Sequence, residues 1–67
     1  MRNRVRELRT ARGWSQAELG LRVGVSRQAI NAIENGHFDP SLPLAMRLGR
    51  LFGLPVEAIF TLDPEAT

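Results

Sequence analysis

The sequence predicts an all-α fold of five short helices, and three observations point there. Apolar residues recur at helical spacing along nearly the whole length. Serine or asparagine stands ahead of the first four periodic segments, and glycine closes them. The stretch Ser15 to Gly36 holds two helical patterns separated by a short Gly-containing turn, which is the spacing of a helix-turn-helix.

The central pair carries the most information. Ser15 is placed to N-cap the first helix, and Glu18 three residues later completes a Ser-x-x-Glu capping box. Trp14 and Leu19 have the spacing of a hydrophobic staple across that cap. The pattern runs over 16–23, and Gly24 supplies the positive-φ residue that ends it. Ser26 caps the second helix, 27–35, which Asn35-Gly36 closes.

At about 100° per residue, Ala29, Ile30 and Ile33 share the arc of that second helix that faces a core. Arg27, Gln28, Asn31, Ala32 and Asn35 share the opposite arc, which holds no acid. A solvated face more often mixes Lys with Glu. Arg can bond bidentately to the acceptor edge of guanine, and Gln or Asn to the donor–acceptor edge of adenine. This arc therefore suits contact with base edges, with Arg27, Gln28, Asn31 and Ala32 as the candidate base-reading set.

Residues 3–61 resemble the XRE family, the DNA-binding helix-turn-helix domain of the Cro and phage-repressor type. The residues that carry the resemblance are Leu8-Arg9, Ser15-Gln16-x-Glu18-Leu19, Val23-Gly24-Val25-Ser26, Ile30, Ile33, Glu34-Asn35-Gly36 and Pro40-Ser41-Leu42. The resemblance implies a five-helix lambda-repressor-like domain that binds operator DNA, usually as a dimer. It also implies a pairing of Arg9 with Glu34, which the helical wheel supports by putting Glu34 at the edge of the core arc. Gln16 and Asn35 stand where family members contact phosphate. Gly20 departs from the family's usual Ala; it stays small enough for the two helices to approach, at about 1 kcal/mol in helix propensity. Arg27 and Ala32 fall where the family varies with its target.

Composition bounds the alternatives. Sixty-seven residues make one small domain with room for one core and no deep catalytic cleft. The absence of cysteine excludes a disulfide framework and Cys-based metal sites, and fits a reducing cytoplasm. Apolar runs are too short for a membrane span, and Met1-Arg2-Asn3-Arg4 does not open a signal sequence. An enzyme is disfavoured: there is one His, no Tyr, and no Gly-rich phosphate loop after a strand. No cofactor is expected. The net charge is +2, unevenly spread. Seven Arg against Glu7 and Glu18 give the first 27 residues +5, and the remainder carries −3. This split predicts one side that faces a polyanion and one that turns away. All nine basic residues are Arg, which suits bidentate phosphate contact and equally fits the codon usage of a GC-rich genome.

The flanking elements follow the same logic. Asn3 caps a first helix over 3–12, with Val5 and Leu8 inward and Gly13 as its end. Arg2, Arg4 and Arg6 are either phosphate contacts or a solvated basic surface, and Arg4 joins Gln16, Asn35 and His37 as the candidate phosphate-binding set. Arg22 lies on the outer side of its helix, against DNA backbone or solvent. His37, the single histidine, lacks the companions a metal site needs, and reaches either phosphate or water. Phe38 is expected to anchor the loop at the core margin. Ser41 caps a fourth helix over 42–52 with Pro43 in its first turn, and Leu42, Ala45, Leu48 and Phe52 inward. Pro55 opens a fifth over 56–61, and 62–67 form a tail.

Leu44, Met46, Leu51, Leu54 and Leu62 exceed what so small a core can hold. Their concentration in the last third predicts a homodimer interface there. The leading expectation is thus a small regulator reading double-stranded operator DNA in the cytoplasm, at the nucleoid. The alternative is an antitoxin-like interaction module with secondary DNA binding, which the acidic, Leu-rich last third motivates.

Overall fold

A computed structural model describes residues 1–63; residues 64–67 of the expected tail lie outside the described residues. Five helices follow in order: α1 (Val5–Ala11), α2 (Gln16–Val23), α3 (Arg27–Glu34), α4 (Leu42–Phe52) and α5 (Val56–Ile59). The all-α expectation needs one addition. Arg2–Asn3 (β1) and Phe60–Thr61 (β2) pair as a two-stranded antiparallel ribbon, Arg2 opposite Thr61 and Asn3 opposite Phe60.

That ribbon shortens two expected helices. Asn3 stands in β1 rather than at a helix start, although its Oδ1 still accepts the Val5 N–H at 3.1 Å. Its Nδ2 donates to the Ile33 carbonyl at 2.9 Å and so ties the first strand to the end of α3. The Arg4 N–H donates to the Ile59 carbonyl at 2.9 Å, and α5 stops at Ile59 because Phe60 turns extended to pair. Pairing satisfies backbone groups that a longer helix would have satisfied internally.

The caps explain the remaining boundaries. Ser15, Ser26 and Ser41 each accept the N–H three residues on, at 3.0, 3.1 and 3.3 Å. The Ser15 capping box is half-formed, since the Glu18 carboxylate bonds Arg22 at 3.0 Å instead of turning back to the cap. Gly24 ends α2 at φ 80°, and the Gly20 carbonyl accepts the N–H groups of both Gly24 and Val25. This brings the turn hard against α2. A Cβ on Gly20 would stand 2.5 Å from the Val25 carbonyl oxygen, so the missing side chain is what permits this approach, and the helix-propensity cost expected of Gly20 is offset by it.

The core is one cluster contributed by every helix. Val5, Leu19, Val23, Ile30, Ile33, Leu44, Ala45, Leu48, Phe52, Ile59 and Phe60 are buried, and Leu8, Trp14, Val25, Leu51, Leu54 and Val56 pack against it. In α4 the inward arc is centred on Leu44, Leu48 and Phe52. Leu44 is therefore core rather than surplus, while Leu42, expected inward, is 69% exposed at the edge of that arc. Phe38 is exposed and does not anchor its loop, and Leu21 is exposed on the outer face of α2. The Trp14 ring packs against Phe52 with centroids 6.1 Å apart. Arg22 lies over Trp14 at 4.1 Å, so its guanidinium rests on an aromatic face rather than in open solvent.

Candidate nucleic-acid interface

Ile30 and Ile33 are buried against the domain, so α3 presents its other side outward. Arg27, Gln28, Asn31 and Asn35 are exposed there, and Ala32 is half-buried at the margin of the same face. Among the described residues, no side-chain partner engages Arg27 or Gln28. Asn31 and Asn35 are linked to each other, Asn35 Nδ2 donating to Asn31 Oδ1 at 3.2 Å.

Behind this stripe lies a buried carboxylate. Glu34 Oε2 accepts from Arg9 Nε at 2.7 Å, while Oε1 accepts from Arg9 Nη2 and Gln16 Nε2 at 3.1 Å and from Arg6 Nε at 3.2 Å. The Glu34 side chain has no exposed surface. Burial alone would raise its pKa. Donation from Arg9, then from Gln16 and Arg6, and the Arg9 charge outweigh burial and hold the carboxyl below its ordinary value. Arg9 in turn is raised by its bond to Glu34, and its Nη1 donates to the Trp14 carbonyl at 2.8 Å. One acid thereby joins α1, the start of α2 and the end of α3.

The phosphate candidates occupy distinct settings. Gln16 sits in the first turn of α2 with its amide nitrogen engaged by Glu34, which leaves one further N–H on that nitrogen. Asn35 caps α3, and its Oδ1 accepts from Arg6 Nη2 at 2.9 Å. His37 is exposed, and its backbone N–H closes the end of α3 on the Ala32 carbonyl. Arg4 is turned elsewhere: its guanidinium bonds Glu7 at 3.0 Å and the Ala58 carbonyl at 3.4 Å. A phosphate would have to compete with those partners. Arg6 is the residue whose part the sequence understates. Charge alone points to Arg4 among the flanking arginines, whereas the packing of α1 on α3 singles out Arg6.

A helix-turn-helix family model matches residues 5–59, which includes all five helices. The chain belongs to the XRE helix-turn-helix family. This XRE domain is 46% identical over 65 residues to the uncharacterized HTH-type transcriptional regulator YgzD of Bacillus subtilis, covering 97% of this chain and 98% of the other. It is 48% identical over 66 residues to an uncharacterized HTH-type transcriptional regulator of Methanothermobacter thermautotrophicus, covering 97% and 96%. Among solved structures it is similar to the restriction-modification controller protein C.AhdI of Aeromonas hydrophila. That match has a TM-score of 0.75 and 33% identity over 85% of this chain and 86% of the other. Among the described residues, no helix of this XRE domain is long and apolar enough to cross a membrane.

Proposed function

We propose that the chain is a sequence-specific DNA-binding transcriptional regulator that places α3 in the major groove. The observation that carries this reading is the outward stripe of Arg27, Gln28 and Asn31, free of acids and borne on a helix whose other side is locked into the core. Arg27, Gln28 and Asn31 read base edges, with Ala32 offering apolar contact at the stripe's margin. Gln16, Asn35 and the loop at His37 set the register through phosphates, as helix starts and exposed amides do. Relatives that match end to end are named transcriptional regulators, which favours this reading over an interaction module. Binding rather than turnover is then the protein's work, carried out at the nucleoid in the cytoplasm.

The regulator acts as a homodimer through its last third. A groove of about 310 Å³ lies there between α4, α5 and β2, lined by Pro40, Leu42, Ala45, Val56, Phe60 and Leu62. Leu42 and Leu62 are exposed on it, and Met46 stands one turn beyond Leu42. A two-fold dimer sets two copies of α3 about 34 Å apart, on successive major-groove faces of one side of a duplex.

Selection of bound sites from random duplex DNA, followed by a salt titration on the selected site, tests the proposal. A two-fold-symmetric motif whose affinity falls steeply with salt is expected. Recovery of no enriched sequence would overturn it.

A further inference from the structure

The Arg6 guanidinium is held at two points. Its Nε donates to Glu34 Oε1 at 3.2 Å, and its Nη2 donates to Asn35 Oδ1 at 2.9 Å. Glu34 is itself fixed by Arg9 and Gln16, so the anchor is rigid at its buried end. A guanidinium has donors only, and the Asn35 atom that faces it must therefore be the oxygen. Asn35 then has its Nδ2 on the far side, where it donates to Asn31 Oδ1 at 3.2 Å. The hydrogen bonds run in one direction from α1 to the outward stripe of α3.

An isolated asparagine amide exchanges its oxygen and nitrogen by a half-turn of the side chain, and so offers either a donor or an acceptor to a base. In this chain of bonds a half-turn at Asn35 would set its N–H groups against those of Arg6. A half-turn at Asn31 would set two NH2 groups against each other. Each costs a hydrogen bond and creates a repulsive contact. Asn31 is left with its oxygen drawn toward Asn35 and its Nδ2 turned away from it.

We propose that Arg6, acting through Asn35, is a positioning residue for base reading, which fixes the Asn31 amide so that it offers N–H donors to the major groove. The inference rests on the DNA-reading proposal above. It narrows the base-edge atom that the Asn31 N–H groups can meet to an acceptor: N7 of a purine, O6 of guanine or O4 of thymine. The amino donors, N6 of adenine and N4 of cytosine, are disfavoured.

The test uses the intact protein and the site selected from random duplex DNA. Asn31→Ala first identifies the base pair that depends on Asn31, and affinities for all four bases at that position are then measured. Arg6→Ala removes the anchor. Asn35→Asp keeps an oxygen for Arg6 but has no hydrogen to give Asn31, and it serves if Arg6→Ala fails to fold. Each is expected to shrink the discrimination at that base pair by about threefold or more, leaving the ranking at other positions intact. In the Asn31→Ala background neither change should alter it further. An equal loss of affinity for all four bases would overturn the proposal, because Arg6 and Asn35 would then act on phosphate or folding alone. Failure of the unmodified protein to select any sequence would remove the DNA-reading proposal, and this one with it.

Discussion

Arg9 Nε and Glu34 Oε2 lie 2.7 Å apart, joining α1 to α3 through an arginine side chain that is 13% exposed and a carboxylate that is fully covered. Removing either partner leaves its counterpart desolvated, which costs about 3–5 kcal/mol for a deeply buried pair. Arg9→Ala should fall at the lower end, because Arg6 and Gln16 still donate to the acid. Denaturant unfolding of Arg9→Ala, Glu34→Ala and the double variant checks this. The double variant should lose less than the sum of the singles, since the second change removes a group that already lacks its partner.

The same carboxylate makes stability depend on pH. Burial raises the pKa of Glu34, but the Arg9, Gln16 and Arg6 donors together depress it below that of an unfolded-chain glutamate. A depressed folded-state value means that the native state binds this proton less readily than the unfolded one. The stabilisation is therefore complete above the unfolded value, about 4.3, and is lost as pH falls through the folded value. Melting temperature should decline on acidification below that point. Glu34→Gln should flatten the decline, and an unchanged acid limb in that variant would rule out Glu34 as its source.

These two predictions hang on residues that the sequence makes legible to different degrees. Arg9 and Glu34 are accessible because one helical wheel and one resemblance point to the same pair. Gln16 and Arg6 escape as partners of that acid, because a periodicity gives the face of a helix and not the reach of a long side chain across an interface. The caps at Ser15, Ser26 and Ser41 are local chemistry and can be read directly. The β1–β2 ribbon is a pairing between the two ends of the described chain, only two residues per strand, and leaves no alternation to detect. Leu42 and Leu44 exchange their expected places because a wheel drawn on Leu42, Ala45, Leu48 and Phe52 is rotated from the arc that α4 buries.

Base reading and phosphate contact should separate cleanly between α3 and α2. Gln28 is exposed on the outer stripe, whereas Gln16 sits in the first turn of α2 with its amide held by Glu34. Gln28→Ala should cost about 1–3 kcal/mol on the selected site and relax the preference at one base pair per half-site. Gln16→Ala should weaken all sequences alike and lower the salt dependence little, since a neutral amide displaces no counterion. Affinity measurements across a library of single-base variants of the site check both. A uniform loss in both variants would mean that the reading face has been assigned wrongly.

The groove between α4, α5 and β2 makes the strongest demand on the dimer proposal. Leu42 is 69% exposed, Met46 56% and Leu62 58%, so none of the three contributes much to the stability of a single subunit. At concentrations low enough that the unmodified protein is also monomeric, Leu42→Glu should accordingly shift unfolding by no more than about 0.5 kcal/mol, the range of ordinary surface substitutions. Its effect on association should be large, because a two-fold interface meets the new charge twice, and Glu57 already lines the groove. Sedimentation should show half the mass of the unmodified protein at the same concentration. Affinity for an isolated half-site should hold, while affinity for the full two-fold site falls by about a hundredfold as the second contact ceases to be intramolecular. An unchanged mass would place the subunit contact on another face. An unchanged full-site affinity with halved mass would mean that DNA alone brings the two copies of α3 together.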